Sequence, residues 1–249
     1  MSIAGLSPTP ARADTHPQSS TPPKATCYPA VDPGQTQYII GYGSLMEDAS
    51  RSRTSPDVGS AYPVAVKGYR RGWFGKGTNI GFNTTYLGVV ADQKANLNGV
   101  IYQVKKIDEI TATDKREDFY CRVLVTDSEM SMLSNTAPKP TGQVWIYVNR
   151  PESVALANAG APIAQSYVDI FISGCLEQQE QFNLPDFAKQ CIETTSNWSN
   201  FWVNDRIYPR RPFIYQPRAI QIDKLLRNQL PQYFEQIRIE GGSPTDFRR

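Results

Sequence analysis

The stretch YIIGYGSL, residues 38–45, is typical of a short apolar strand that runs into a turn bracketed by two glycines. A glycine such as Gly43 lets the backbone approach another group closely and adopt a positive φ. Consecutive backbone N–H groups in such a turn form a concave site for an anion. Ser44 is therefore either a nucleophile or one wall of a cradle for a negatively charged group.

The rest of the chain disfavours the nucleophile. A serine hydroxyl is usually activated by a histidine, and the one histidine, His16, lies in a proline-rich segment. No lysine stands three residues after Ser44 to form an S-x-x-K pair. The same histidine count, with no C-x-x-C pair, argues against a zinc site. We therefore expect the turn to bind an anion.

Composition and charge exclude other classes of protein. The 249 residues are enough to bury one substantial core. The net charge is +2 and no basic stripe stands out, so we expect no nucleic-acid partner. The longest apolar runs, such as residues 144–148, have the length of a strand, so we expect no membrane interaction.

The first 36 residues are rich in proline and serine and poor in large aliphatic side chains, which predicts a disordered tail over residues 1–36. This segment lacks the apolar core of a secretory signal. We therefore expect a cytoplasmic protein whose cysteines are reduced thiols. The four cysteines are Cys27, Cys121, Cys175 and Cys191.

Hydrophobic periodicity predicts strands first and helices later. Strands are predicted at residues 38–42, 61–67, 86–91, 99–104, 120–126 and 143–148, and helices at 107–117, 163–175, 185–191 and 219–228. This order favours an α+β fold, with a mixed sheet or small barrel of about five to seven strands flanked by helices. We expect a catalytic domain over residues 37–176, on which a helical extension rich in aromatic residues and arginine, residues 177–249, packs.

Glu117 ends the first predicted helix, and Tyr120 opens the strand that follows, so we expect the two to be neighbours at a junction. The alternative is a solvated charged turn before an edge strand.

Five short stretches, read together and in order, resemble the gamma-glutamylcyclotransferase-like family, including its ChaC-type branch. They are GYGSL (residues 41–45), VKGYRR (66–71), GVIYQV (99–104), RE (116–117) and YCR (120–122). ChaC-type members have one more residue between the glutamate and the tyrosine, so the resemblance does not predict glutathione as the substrate.

The resemblance implies a mixed β-barrel and a reaction without a metal or organic cofactor. A small-molecule γ-glutamyl substrate would attack its own γ-carbonyl with its α-amine, giving 5-oxoproline and an amino acid, peptide or amine. Glu117 is implied as the general acid/base. The implied substrate-binding residues are Tyr42, Gly43, Ser44 and Leu45 around the α-carboxylate, with Tyr120, and with Tyr147 and Tyr167, whose hydroxyls would donate to the γ-carbonyl.

This chemistry is physically reasonable for one tuned carboxylate. A glutamate of ordinary pKa, about 4.3, is a poor base for an amine of pKa about 8. We expect partial burial beside Phe119 and Tyr120 to raise the pKa of Glu117. Well-oriented ring closure is equivalent to an effective molarity on the order of 10⁵ M or more.

Two other functions remain open at this point: a carboxylate-binding module on the same scaffold, and an enzyme acting on amide bonds of a larger acyl carrier or protein. If the protein acts on an acyl carrier or protein, residues 197–212 would be the surface on which that partner docks. Under the other hypotheses, these residues form a lid over the site or a structural extension. The far end of the pocket could be lined by Arg70, Arg71 and Trp73; the alternative for this stretch is a surface ion pair. If Tyr147 and Tyr167 do not bind the substrate, they are core aromatic residues.

Overall fold

The structure is a computed structural model that describes residues 27–54, 59–79, 82–117, 119–210 and 218–240. Its strands are β1 (Thr36–Gly41), β2 (Ala61–Asn79), β3 (Phe82–Val104), β4 (Tyr120–Val125), β5 (Met130–Met132), β6 (Gly142–Asn149), β7 (Ile163–Ala164), β8 (Thr195–Ser196), β9 (Trp202–Asn204) and β10 (Arg238–Ile239). Its α-helices are α1 (Asp48–Thr54), α2 (Ile107–Arg116), α3 (Gln165–Gln181), α4 (Phe187–Glu193), α5 (Ala219–Gln229) and α6 (Pro231–Phe234).

The strands form one mixed sheet in the order β10-β9-β7-β3-β1-β6-β4, with β2 paired to β3 and carrying β5 and β8. The central strand β1 is antiparallel to β3 and parallel to β6, and β4 is antiparallel to β6. The chain therefore has the α+β fold that was predicted. Of the ten strands in the described residues, five are six residues or longer, and the other five have only two or three residues.

Two predicted strands, residues 86–91 and 99–104, are parts of the single strand β3. It stays continuous because β2 pairs with it over most of its length. The register shifts between Lys67 and Tyr69, where Gly68 has a φ of 84°. Glycine adopts this left-handed conformation without a steric penalty, so the bulge forms there and lets the long pair of strands bend.

The helix α3 lies in the centre of the core, since residues on nearly every face of it are buried. Residues after position 176 belong to the same core, including Phe187, Trp198, Trp202 and Leu226. Trp198 stacks on Trp202 and packs against Trp73 of β2, each at a centroid distance of 5.2 Å. The predicted segment is thus anchored in the hydrophobic core by Trp198 and Trp202, while Phe201, Ile207 and Tyr208 are exposed. Residues 211–212 of the same segment lie outside the described residues.

Residues 27–29, here called the strap, pack against the sheet. Cys27 accepts a backbone hydrogen bond from Arg122, and Tyr28 packs on the hydrophobic core. Residues 27–29 are therefore not part of a disordered tail, because they find partners in β4. Residues 1–26 of the predicted tail lie outside the described residues.

The cysteines form two disulfides, Cys27–Cys121 and Cys175–Cys191, so the prediction of reduced thiols is wrong. This pairing could not be predicted from the sequence, because the fold pairs cysteines that are 94 and 16 positions apart. Disulfides are rare in cytosolic proteins. The two disulfides therefore do not support the cytoplasmic prediction, and the location itself stays a prediction.

None of the helices in the described ranges is long and apolar enough to cross a membrane.

Candidate active site

A small recess that is partly open to solvent lies where β1 ends and β4 begins, and it encloses about 370 Å³ when the open solvent at its mouth is included. Its walls are Ile40, Gly41, Tyr42, Gly43, Ser44, Leu45, Leu87, Glu117, Tyr120, Tyr147 and Tyr167. All eight residues that were proposed for the site from the sequence therefore meet around one cavity, and their roles stay predictions.

The sheet topology brings these residues together. Because β1 runs parallel to β6, the carboxyl ends of the two strands lie at one edge of the sheet, and β4 runs antiparallel to β6 and starts at that edge. Tyr42 follows β1, Tyr147 lies near the end of β6, and Tyr120 opens β4. Tyr167 comes from the first turn of α3.

The turn after β1 continues as a short 3-10 helix, Ser44–Met46, closed by a hydrogen bond of 3.0 Å from the Met46 N–H to the Gly43 carbonyl. The φ of Gly43 is −129°, so the expectation of a positive φ is wrong. The expectation of close approach is confirmed, because a Cβ on Gly43 would lie 2.9 Å from the Tyr167 hydroxyl oxygen. Glycine is needed here for space.

Glu117 is the residue at which α2 ends. Its N–H donates to the Thr113 carbonyl at 2.8 Å, and its own carbonyl accepts from the Tyr120 N–H at 2.9 Å. Glu117 is partly buried and lines the cavity, which disfavours the alternative of a fully solvated turn. Asp118 lies outside the described residues.

Tyr42 and Tyr120, two tyrosines of the cavity wall, remain protonated at neutral pH. Burial, with smaller effects from neighbours that include Glu117, raises the pKa of Tyr42 and Tyr120 well above the usual value for tyrosine. The Tyr42 hydroxyl donates to the Tyr147 carbonyl at 2.6 Å, and the Tyr120 hydroxyl donates to the Leu87 carbonyl at 3.3 Å. These two side chains fix the shape of the cavity wall.

Tyr147 donates its hydroxyl to Asp114 at 2.6 Å, and burial together with this bond raises the pKa of the phenol. Asp114 also accepts from Arg122 at 3.0 Å, and the Arg122 guanidinium lies 4.4 Å from the Trp145 ring centroid. Asp114 was not among the site residues proposed from the sequence. The Tyr-x-Arg pattern of β4 was the available signal, because it puts Arg122 on the same face as Tyr120.

A buried cation lies behind the turn. Arg71 is fully buried, and burial lowers the pKa of its guanidinium to about 9, so it stays charged at neutral pH. It donates to the carbonyls of Tyr42 at 3.2 Å and Asn98 at 2.7 Å, and its further acceptors are hydroxyl, amide and carbonyl oxygens. Among the described residues, no carboxylate pairs with it.

Arg70 and Trp73, which were proposed together with Arg71 for the far end of the pocket, lie outside it. Arg70 forms a partly exposed ion pair with Asp92 at 3.2 Å, and Trp73 is buried in the core. Neither residue lines the cavity.

No protein-family model matches this sequence, and no curated protein gives a significant match. Solved structures with a similar fold include a gamma-glutamyl cyclotransferase, at 11% identity and a TM-score of 0.48 over 76% of this chain and 99% of that one. An uncharacterized human protein has 12% identity and a TM-score of 0.47 over 66% and 92%. A yeast gamma-glutamyl cyclotransferase specific to glutathione has 11% identity and a TM-score of 0.42 over 80% and 97%. These likenesses are too distant to assign an activity, so the proposal that follows depends on the geometry of the cavity.

Proposed function

We propose that this chain is a gamma-glutamylcyclotransferase-like enzyme, which cyclises a γ-glutamyl group to 5-oxoproline and releases an amino acid, peptide or amine. The observation that carries the proposal is that Glu117 and the turn at Gly43–Leu45 line one cavity. An amine that attacks an amide of its own molecule needs a base and a fixed orientation. The carboxylate would supply the base and the turn the orientation.

The turn is suited to bind the α-carboxylate of the substrate. Arg71 donates to the Tyr42 carbonyl, and the peptide bonds are trans, so the Gly43 N–H points away from Arg71. Within the described residues, no hydrogen bond from this N–H to a backbone carbonyl is found. The buried guanidinium polarises the peptide group and strengthens the Gly43 N–H as a donor. Its uncompensated positive charge favours a bound anion.

In the proposed reaction, Glu117 takes a proton from the α-ammonium group of the substrate. The freed amine then attacks the γ-carbonyl carbon, forming the new carbon–nitrogen bond of the five-membered ring. The carbon–nitrogen bond of the γ-amide breaks as Glu117 returns the proton to the leaving nitrogen. Glu117 then moves the second proton of the ring nitrogen to the released amine, which leaves as an ammonium group beside the neutral lactam. No water is consumed and no electron is transferred, so atoms and charge balance within the substrate.

The tyrosines would have different tasks. Tyr147 already donates its hydroxyl to Asp114, so it is unsuited to donate to the γ-carbonyl, and we assign it a positioning role. The Tyr167 hydroxyl lies beside Gly43 and is the better candidate to contact the substrate. Tyr42 and Tyr120 would hold the walls through their bonds to backbone carbonyls.

The direct test is release of 5-oxoproline from a panel of γ-glutamyl amino acids, peptides and amines. We expect at least one compound to turn over with the wild type. Glu117→Gln keeps the size of the side chain and removes the base, so its kcat should fall by about 10²–10⁴. Asp108→Asn, an exposed carboxylate on the same helix, is the matched control and should retain full activity.

Calorimetry separates the enzyme from a pure carboxylate-binding module. A module would bind a γ-glutamyl compound to saturation and leave it intact in both wild type and Glu117→Gln. Turnover of only a macromolecular amide would favour the third hypothesis, an enzyme acting on an acyl carrier or protein.

A further inference from the structure

The strap contacts the backbone of two cavity residues. The Tyr28 hydroxyl oxygen lies 3.0 Å from the Tyr120 carbonyl oxygen and 3.3 Å from that of Glu117. Arg150 donates to the same hydroxyl at 3.3 Å, and its guanidinium lies 5.8 Å from the Tyr28 ring centroid. One hydroxyl group therefore ties together the two ends of the turn that carries Glu117.

The disulfide fixes this hydroxyl in place. Cys27 is bonded to Cys121, the residue directly after Tyr120 in β4. The Arg122 N–H also donates to the Cys27 carbonyl at 2.9 Å. Tyr28 is thus anchored through its neighbour, by one covalent bond and one hydrogen bond, to the first residues of β4.

The strap is also linked to a second cavity residue, Tyr147. The Arg122 guanidinium donates to the Pro29 carbonyl at 2.8 Å and to Asp114 at 3.0 Å. Asp114 in turn accepts the Tyr147 hydroxyl. The same three strap residues therefore support both Glu117 and Tyr147, although none of them lines the cavity.

We propose that the strap positions Glu117 for proton transfer, and that full turnover requires the intact Cys27–Cys121 disulfide. This inference rests on the proposed function. The strap touches Glu117 through its backbone carbonyl, so Cys27 and Tyr28 are positioning residues. The turn at Gly43, which would bind the substrate's carboxylate, has no contact with the strap through the bonds described above.

Reduction of the disulfide provides the first measurement. A dithiol gives the bridge two electrons and two protons, which yields two cysteine thiols, and is itself oxidised to a cyclic disulfide. The strap is then held by non-covalent contacts alone, namely its hydrogen bonds and the packing of Tyr28. A misplacement of about 1 Å can lower a rate about 100-fold, so we expect kcat to fall at least about tenfold. KM should change less than about twofold, because the anion cradle is unaffected.

Two double variants show which of the two disulfides causes the fall in kcat on reduction. Cys175→Ala/Cys191→Ala keeps the strap disulfide and should lose activity when dithiothreitol is added. Cys27→Ala/Cys121→Ala should start at the low kcat and show no response to dithiothreitol. Tyr28→Phe keeps the ring and the disulfide and removes the hydroxyl, so it should also lower kcat, as reduction of the strap disulfide does. Circular dichroism establishes that each variant is folded.

An equal kcat for the folded oxidised and reduced proteins would overturn the inference, and so would an effect confined to KM. A wild type that releases no 5-oxoproline from any compound counts against the proposed function instead. Hydrogen exchange then still tests the strap: amides at residues 120–122 should exchange faster after reduction, and unchanged exchange would show that the strap does not position this segment.

Discussion

At the scale of single residues, the contact between Gly43 and Tyr167 determines how closely α3 approaches the anion-binding turn. Tyr167 is buried, with its ring edge-on to Trp73 and Tyr86 at centroid distances of 5.8 and 5.0 Å, so it has little room to move. Any side chain on Gly43 would meet the Tyr167 hydroxyl.

We therefore predict that Gly43→Ala lowers the free energy of unfolding by about 1–3 kcal/mol, the usual cost of overpacking. In a Tyr167→Phe background, which removes the clashing oxygen, the cost should fall by more than half. Urea denaturation of the four proteins measures this coupling, and Gly59→Ala is the control because nothing lies within 4 Å of its added Cβ. An equal cost in both backgrounds would contradict the packing argument.

Glu47, directly after the turn, provides a prediction about pH. It is 7% exposed, and in the described residues one of its carboxylate oxygens has no hydrogen-bond partner. Burial, with repulsion from Glu177 and Asp48 and against the attraction of Arg53, raises its pKa from 4.5 to about 7. The folded protein therefore favours the protonated acid, and stability should decline as the pH rises from about 4.5 through 7.

Glu47→Gln should remove this decline. A shift of that size corresponds to at most about 3 kcal/mol, and partial solvation reduces it to about 1–2 kcal/mol. The variant should exceed the wild type in unfolding free energy by that amount at pH 8 and match it near pH 4. Denaturation curves at several pH values test this, with Asp108→Asn as a control that should show no such change. A constant difference across the range would rule out titration of Glu47.

Local sequence patterns predicted the residues that line the cavity better than the residues that hold those side chains in place. The glycine turn and Glu117 were found because each lies in a short, ordered motif. Asp114 and Arg71 were not understood from the sequence, because their partners Tyr147 and Tyr42 lie more than 25 positions away and meet them only in the folded sheet.

At the scale of secondary-structure elements, α3 is held by the segment after β9. The buried Asp205 accepts hydrogen bonds of 2.7 Å from the N–H and the hydroxyl of Ser166, in the first turn of α3, and from the Arg210 N–H. A carboxylate at a helix N-terminus satisfies unpaired donors and complements the helix dipole. Because Tyr167 is the next residue, this contact fixes a wall of the cavity.

We expect Asp205→Asn to destabilise the protein by about 2 kcal/mol, since an amide nitrogen replaces one buried acceptor. Asp186→Asn is the matched control, because Asp186 also precedes a helix but makes no side-chain capping bond. Chemical denaturation should separate the two variants clearly. Similar small effects for both would mean that Asp205 is not the cap.

Periodicity predicted the long elements because each has enough residues to display a pattern. Helices α2 and α5 and strands β4 and β6 lie within one or two residues of their predicted bounds. The strands β7, β8 and β10 have two residues each, too few for any alternation, and they form only where another strand offers a partner. The single strand β3 was divided because its polar middle, residues 92–96, resembles a loop.

At the scale of the whole molecule, the two disulfides close loops of very different length. Cys27 and Cys121 are 94 positions apart, and Cys175 and Cys191 are 16 apart. Loop entropy in the unfolded chain grows with the logarithm of loop length, which makes the longer bridge more stabilising by about 1.5 kcal/mol.

The contribution of each bridge is measured by comparing the oxidised and reduced forms of one variant. The packing changes caused by the alanine substitutions are then the same in both forms and cancel. Cys175→Ala/Cys191→Ala retains only the long bridge, and Cys27→Ala/Cys121→Ala retains only the short one. The difference in unfolding free energy between oxidised and reduced forms should be larger for the first variant. A larger difference for the second would contradict the entropic account.

The whole-molecule architecture was predicted in its class, α+β with a mixed sheet, because the order of strands and helices is visible in the sequence. The disulfide pairing was not, since spacing alone cannot show which cysteines the fold brings together. The shared core of α3, Trp198 and Trp202 depends equally on tertiary contacts.

The central claim is that Glu117 acts as a base on a ligand whose carboxylate is held by the turn at Gly43–Leu45. The most direct measurement is 5-oxoproline release by the wild type and by Glu117→Gln, with binding of the same γ-glutamyl compound measured for both. We predict that the variant binds the compound with similar affinity and forms product at least about 100 times more slowly. Product formation at the wild-type rate, or no product from the wild type with any γ-glutamyl compound, would contradict the account.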